Sequence, residues 1–563
     1  MEITVAQECT VENLFSAFLH SEGRPFQFSI PLYQREYAWR EQQWKELLTD
    51  LQHSFEKEGM VSDYWGNVIV FKDESKKVYE IVDGQQRLIT LLLIISALDN
   101  VNKINGYFPL KFESDLDTQW ANTLENSPDT PSSVFSKAKE YILKYTTENR
   151  ISKRLLLEHL KKTKLSVVIV DDELESNLLF GRLNTRGLPL NEIDLIKHKL
   201  FYDTERNLPP MGDDIVLKKW KDLQKYSDHL KTTVEVIISN WLWCKLGARP
   251  HELYEKFLEI EKEDYLNFLN NLVVTVGHLM SMCDKAFDAH ERVGRNLDWV
   301  LKLTNSEHIW ATILGIENAE NMSSRNKAHL YELITMIEFM RKLFRENLFE
   351  AVDTAYLEFG RKLSENPLER EIWHEIVNFK ETLKETLVNE GDFLEEFIKL
   401  KYTRIKWNDV ENTNLLSRYA LFTLNNWKDE NNHAPQLKYR IVDDINYSLE
   451  HIRPHSLGNK DDSNSPEFSI GNVVVLEKSI NHDLDDKPVA DKISKYKNSS
   501  YPQMKETLYK KYRTYSNGKR ENNLLEWDVI KFDSSDADLE IIKRGRYLAT
   551  VFYDKMADML NIK

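Results

Sequence analysis

A mixed α/β region followed by a mostly helical chain is the fold the sequence predicts, and three observations predict it. Two short runs rich in β-branched and aromatic residues, Asp63 to Phe71 (DYWGNVIVF) and Lys77 to Val82 (KVYEIV), read as strands ahead of an apolar helical run, Gln86 to Leu98. From about residue 205 to 430 the apolar spacing is helical throughout. After Leu449 a strand, loop, strand and helix pattern returns within some thirty-five residues. In chain order, the run Leu165 to Val170 (LSVVIV) is a further buried strand, with a helix expected from about Glu173. The stripe Leu333, Met336, Ile337, Met340, Phe344 and Leu348 repeats at i, i+3/i+4 and reads as the core of a helix bundle. The Trp-rich segment Asn240 to Gly247 (NWLWCKLG) also reads as core, and the polar stretch after Trp427 (KDENNHAPQ) reads as a linker. The expected units are 1–205, 206–405 and 406–563, with no internal repeat.

Composition limits what such a chain can be. Its 563 residues hold 75 Lys+Arg against 91 Asp+Glu, a formal charge of −16, with 41% hydrophobic and 29% charged residues. These values suit an ordinary globular protein of several cores. Cys9, Cys244 and Cys283 are odd in number and far apart, which excludes a disulfide scaffold or a Cys-rich zinc site and points to a reducing, cytoplasmic setting. The N-terminal run is acidic where a secretory leader is basic, and no stretch approaches the roughly 20 apolar residues of a membrane span. No membrane partner is therefore expected. The bulk charge argues against nucleic acid, but it is unevenly spread. From Lys487 to Arg520 there are ten Lys/Arg against two acids, a local +8, so the rest of the chain carries −24. The same window holds five tyrosines, and this mixture suits a phosphate backbone with stacking. Lys492, Lys495, Lys497, Lys510, Lys511 and Arg513 are its candidate DNA-binding residues. The run Lys137 to Lys164, nine basic residues against three Glu, is a weaker patch that reads first as a solvated helix face.

Leu449 to Pro454 (LEHIRP) ends a strand on an acid–His pair, and Ile470 to Leu476 (IGNVVVL) forms a second strand with Asn472 near its start; a helix begins near Asn481. Phosphodiester hydrolysis needs a base for water, an oxygen-liganded divalent cation and something that holds the base. His451 can be the base, Glu450 and Asn481 the ligands of Mg2+ or Mn2+, and a buried Asn472 bonded to loop backbone the orienting group. A zinc site from His451, His455 and His482 is a weaker alternative.

Three further motifs occupy the N-terminal region. They are Ile30 to Trp39 (IPLYQREYAW), Asp83 to Thr90 (DGQQRLIT) and Phe180 to Lys197, the last containing Asn184, Arg186, Gly187, Asp194 and Lys197. The second leaves a strand through a glycine turn and opens a helix, so free N–H groups and the positive dipole end meet there, as at an anion site. Arg87 can reach a phosphate and Asp83 a cation or sugar hydroxyl. A Walker P-loop is absent, and a structural, capped helix is the competing reading.

The C-terminal pattern, E-H-I-x-P, then I-G-N-hydrophobic, then Asn nine residues on, resembles the HNH, or ββα-metal, nucleases, with Asn where a second His is common. Asn481 to Lys492 further resembles the HNH subfamily fused to ParB-like domains, whose pattern is N-x-x-L-x-x-x-P-x-x-x-K. No Cys pairs flank the site, so the zinc-stapled branch is excluded. The three N-terminal motifs, in their order, resemble the ParB/sulfiredoxin-like domain of the GmrSD type IV restriction enzymes, departing only at Ile89, where Thr is usual. The resemblance covers residues 1 to about 205 and about 406 to 563. It implies an N-terminal ParB/sulfiredoxin-like α/β domain, a central helical region and a C-terminal ββα-metal domain. It further implies that Asp83, Gly84, Gln85, Gln86 and Arg87, with Gln34 and Arg35 beside them, bind a nucleoside triphosphate of undetermined base. Tyr33 and Gln34 would sense modified DNA. The function expected on this basis is an NTP-regulated, modification-dependent endonuclease of double-stranded DNA, with NTPase activity, in anti-phage defence. The alternative is a nucleotide-switched DNA-binding sensor whose HNH unit clamps without cutting. Homo-oligomerisation is left open.

Overall fold

The computed structural model describes residues 5–17, 27–31, 34, 37–56, 64–73, 77–99, 108–114, 116–125, 133–170, 192–207, 212–285, 292–344, 350–403, 405, 410–429, 447–482, 484, 486–499, 509–516 and 519–561. The helix expected from about Glu173, and with it Asn184, Arg186 and Gly187, lies outside these residues, as do Tyr33 and Arg35. The chain divides into two compact units, residues 1–217 with 257–266, and residues 218–256 with 267–563.

The first unit is built on a six-stranded mixed sheet. Its strands are β1 (Val5–Thr10), β2 (Gln27–Ile30), β3 (Tyr64–Asp73), β4 (Val78–Asp83), β5 (Leu110–Phe112) and β6 (Lys164–Val170), in the spatial order β1-β6-β3-β4-β2-β5. β3 runs antiparallel to β4 and parallel to β6, and β2 lies parallel to both β4 and β5. β4 is buried along nearly its whole length, and its interior charged residue, Glu80, is buried with its apolar neighbours. Next comes the helix Gln85–Leu98, whose Leu88, Ile89, Leu91, Leu92, Leu93 and Ile94 are all buried. A helix apolar on every side is a core helix, and this one fills the space beneath the sheet with Phe28, Val70 and Ile81. In the weaker basic patch Lys137, Lys144, Arg150, Lys153, Arg154 and Lys162 are exposed, as on a solvated face, and Lys139 is the exception. Lys139 is buried, donates to Thr123 O at 2.9 Å and to Ser96 Oγ, and burial pulls its ammonium down to about 8.

The second unit is helical from Lys218 onward and carries two short hairpins. The stripe predicted as bundle core is core: Leu333, Met336, Ile337 and Met340 have no exposed surface, Phe344 is half-buried, and Leu348 lies outside the described residues. In the Trp-rich segment Leu242 and Cys244 are buried, while Trp241 packs edge-on against Phe268 at 4.8 Å. The first hairpin pairs β7 (Tyr447–His451) antiparallel with β8 (Val473–Glu477). The second pairs β9 (Tyr509–Ser516) with β10 (Lys519–Asp528) across a bulge at Glu521/Leu524.

Packing runs across the boundary that the sequence placed near residue 405. Leu400 and Tyr402 pair in backbone register with the loop before β8, through Ile470 N to Leu400 O and Tyr402 N to Phe468 O, both 2.8 Å. The last helix, Ala537–Met559, inserts Phe552 among Phe339, Phe393, Phe397 and Tyr419, with ring centroids 4.8 to 6.2 Å apart. The helical middle and the C-terminal hairpins therefore share one core, because the closing helix is long enough to reach from one to the other. Among the described residues no helix is long and apolar enough to cross a membrane.

Candidate functional site

The C-terminal hairpin brings the acid–His pair and Asn472 into one local structure. The loop between β7 and β8 starts at Ile452 and passes through three 3-10 turns, His455–Leu457, Pro466–Phe468 and Ile470–Asn472, so Asn472 sits just before β8 and not on it. Its side chain has no exposed surface. The Asn472 Nδ2 donates to Arg453 O at 2.9 Å and Glu467 O at 2.8 Å, while its Oδ1 accepts from Arg453 N at 2.8 Å. Ile452 N to Asn472 O, 2.8 Å, continues the ladder. One carboxamide thus closes the loop from both ends, in the geometry expected of an orienting residue. A second clamp comes from the helix Ala537–Met559, whose buried Arg544 donates to Gly471 O at 2.6 Å and Val473 O at 2.9 Å. Burial pulls this guanidinium down to about 10. That helix approaches so closely that a Cβ on Gly471 would lie 2.2 Å from Ile541 O, and only glycine fits.

His451 ends β7 half-buried. Its Nε2 lies 2.8 Å from Tyr402 O, and because a carbonyl only accepts, Nε2 carries the proton and the neutral ring keeps its lone pair at Nδ1. Tyr402 stacks on the ring at 5.7 Å, and His455 meets it edge-on at 5.0 Å. His455 Nε2 in turn bonds Thr403 Oγ1 at 2.8 Å. Tyr402, Thr403 and Arg544 lie far from the motif in sequence, and no local signal marks them.

Side chains alternate along β7, so Glu450 faces away from His451 and toward the side of Ser448. On that side Asn481 Nδ2 donates to Ser448 Oγ at 2.7 Å. Glu450 is buried and ion-paired to Lys492, with Nζ to Oε1 at 2.6 Å, and the same Nζ reaches His451 O at 2.7 Å. Lys492 has no exposed side-chain surface, which corrects its placement on a DNA-binding surface: it is an internal cation and reaches no phosphate. Tyr496, counted among the stacking tyrosines, is likewise fully buried; its phenol is pushed well above the ordinary range by burial and then by the Glu450 charge.

These contacts bear on the metal ligands expected from the sequence. Two unit charges about 4 Å apart at an effective dielectric of about 20 repel by about 4 kcal/mol, and a dication facing an ammonium doubles that. Glu450, already neutralised by Lys492, does not fit a divalent cation as it stands. Among the described residues no group of three or more His, Cys, Asp or Glu gathers for a metal, and the zinc triad of His451, His455 and His482 is not formed.

Lys495 and Lys497, at and just beyond the end of the helix Val489–Tyr496, are exposed. Lys510, Lys511 and Arg513 lie on β9, in backbone register with Trp527, Glu526 and Leu524.

In the first unit described residues of the three N-terminal motifs, Gln34 to Trp39 in part, Asp83 to Thr90 and Lys197, lie together. Gly84 turns the chain from β4 into its helix with φ +93°, and a Cβ there would press to 3.1 Å on Asn67 O. Gln34 is buried, and its Nε2 donates to Ile81 O and Val82 O, both 3.1 Å. Gln86 is buried as well, and its Oε1 accepts from Ala38 N at 2.8 Å and Trp39 N at 3.3 Å. Lys197 Nζ reaches Gln34 O at 3.5 Å. Both glutamines are thus engaged with backbone inside the fold, Gln86 joining the first two motifs and Gln34 tying the first to the end of β4. Gln85 is also buried. Asp83 and Arg87 are half-exposed, and Arg87 Nη1 donates to Asn67 O at 2.8 Å while its guanidinium lies over Gly66.

The family model for the N-terminal domain of the GmrSD restriction endonuclease matches residues 11–201, and that for the C-terminal domain of these enzymes matches residues 392–527. No curated protein matches the chain. The two models together span more than half of it, one on each unit, and both are in the order of the motifs described above. The chain belongs to the GmrSD-like type IV restriction enzymes.

Proposed function

We propose that this restriction endonuclease cuts modified DNA under nucleotide control, with His451 as general base and Asn472 as the residue that orients it. The observation that carries the reading is the closure of the β7–β8 loop by Asn472, which fixes the backbone on which His451 stands. The His451 ring, with its proton held on Nε2 by Tyr402 O, takes a proton from water at Nδ1 as the water oxygen bonds to phosphorus. The P–O bond to the departing strand breaks, and its sugar oxygen leaves as a hydroxyl after taking a proton from solvent. Lys495, Lys497 and the basic strand β9 supply the backbone attraction. In the first unit Asp83 and Arg87, at the N-terminal end of the helix Gln85–Leu98, are the groups that would face a nucleoside triphosphate. Recognition of the modification, the ParB/sulfiredoxin-like ancestry of the sheet and the role of NTP hydrolysis belong to this same reading.

The test is nicking of glucosylated, phosphorothioated and unmodified plasmids with Mg2+ or Mn2+, with and without each NTP. His451→Ala should lower cleavage by at least 100-fold. Equal cleavage by variant and wild type removes the assignment. One observation favours a second reading, a DNA-binding sensor that does not cut: the Glu450 carboxylate is already neutralised. Tight DNA binding without cleavage under any metal would select it.

A further inference from the structure

The Glu450–Lys492 pair is the feature that the nuclease pattern does not explain. An acid next to the histidine is where that chemistry places a ligand for a dication, yet here an ammonium lies 2.6 Å from Oε1. The same ammonium bonds the His451 carbonyl at 2.7 Å, so it touches both members of the pair at once. It arrives on the helix Val489–Tyr496, whose first turn is tied down by Val489 N to Asp533 Oδ2 at 2.7 Å. Its side chain has no exposed surface, and that of Glu450 is 8% exposed.

We infer that Lys492 is a positioning residue of the nuclease site and that Glu450 is its counter-ion, not a metal ligand. The ammonium neutralises the Glu450 carboxylate and fixes the peptide of His451, so the imidazole is aimed by a bond to its own backbone. Both statements rest on the nuclease reading only for their consequence in catalysis. The geometry of the pair is independent of it.

The experiment uses the full chain and three variants, Glu450→Gln, Lys492→Met and the double Glu450→Gln/Lys492→Met. The double variant removes both charges together and so leaves no unpaired buried ion, which protects the test against simple unfolding. Mn2+ binding by titration calorimetry should be the same for wild type and Glu450→Gln, and Lys492→Met should gain at least tenfold in Mn2+ affinity. The DNA Kd and its salt slope should be unchanged in Lys492→Met, because a cation without exposed surface releases no counter-ion. Cleavage should fall by at least 100-fold in kcat with KM unchanged in Lys492→Met and in the double variant, with partial recovery in Lys492→Arg. A tenfold loss of Mn2+ affinity in Glu450→Gln overturns the inference and makes Glu450 a ligand. So does a salt slope lower by about one unit in Lys492→Met, the mark of a phosphate contact. If the wild type never cuts, the nuclease reading falls by itself, while the calorimetry and the salt slope still decide the role of the pair.

Discussion

Gln86 accepts the backbone N–H of Ala38 through its Oε1 at 2.8 Å, and this bond joins two motifs 48 residues apart. Gln34 works in the opposite sense, donating through Nε2 to Ile81 O and Val82 O. The same chemical change should therefore have unequal effects. Gln86→Glu keeps an acceptor facing two N–H groups, whereas Gln34→Glu sets a carboxylate against two carbonyls. We expect Gln34→Glu to cost about 3 kcal/mol or more and Gln86→Glu clearly less. Chemical unfolding of the two variants checks this, and equal losses would contradict the assigned donors and acceptors.

Asn472→Ala removes three hydrogen bonds to buried backbone groups. Each group left without a partner costs about 1 to 3 kcal/mol, so the variant should lose at least about 3 kcal/mol of stability. Nicking should be abolished as well. A variant that keeps wild-type stability would show that water replaces the amide and that the loop needs no closing residue.

His198 lies buried on the helix Glu192–Asn207, and burial, aided by Lys199, pulls its imidazole down to about 4 from 6.5. The unfolded chain then binds the proton that the folded one refuses between those values. Stability is full above pH 6.5 and is lost as the pH falls through 6.5 toward 4, by about 2 kcal/mol at pH 5. Replacing His198 with Leu should flatten this dependence, which calorimetry at pH 7.5 and 5 would reveal as a smaller fall in Tm. An unchanged pH dependence would assign the acid sensitivity to other groups.

Phe552 sits at the join between the helical middle and the C-terminal hairpins, against Phe339, Phe393, Phe397 and Tyr419. Truncation to Ala should cost about 3 to 5 kcal/mol. Because this ring belongs to both parts, their unfolding should be a single transition in the wild type and should separate in Phe552→Ala. Hydrogen exchange read on the helix Ser324–Phe344 and on β8 would show it, and separate transitions in the wild type would restore a boundary near residue 405.

By itself the sequence determined the strands β3, β4, β6 and β7, the core helix after Gly84, the bundle stripe at Leu333 to Met340, the burial of Asn472 and the family. Those features are written in local periodicity, β-branched composition and ordered motifs, which act over a few residues and need no knowledge of distant neighbours. Which way polar side chains turn is a different matter. Lys492 sits in a stretch of +8 that composition assigns to a nucleic-acid surface, yet helix phase and the nearness of Glu450 bury it. Gln34 and Gln86 look like ligand contacts in their motifs, and only the packing of one segment on another shows that their partners are backbone groups. The alternation of β7 separates Glu450 from His451, although the two are adjacent in sequence. A charge or an amide satisfies itself with whatever the fold brings within about 3 Å, and that partner is settled by tertiary structure alone.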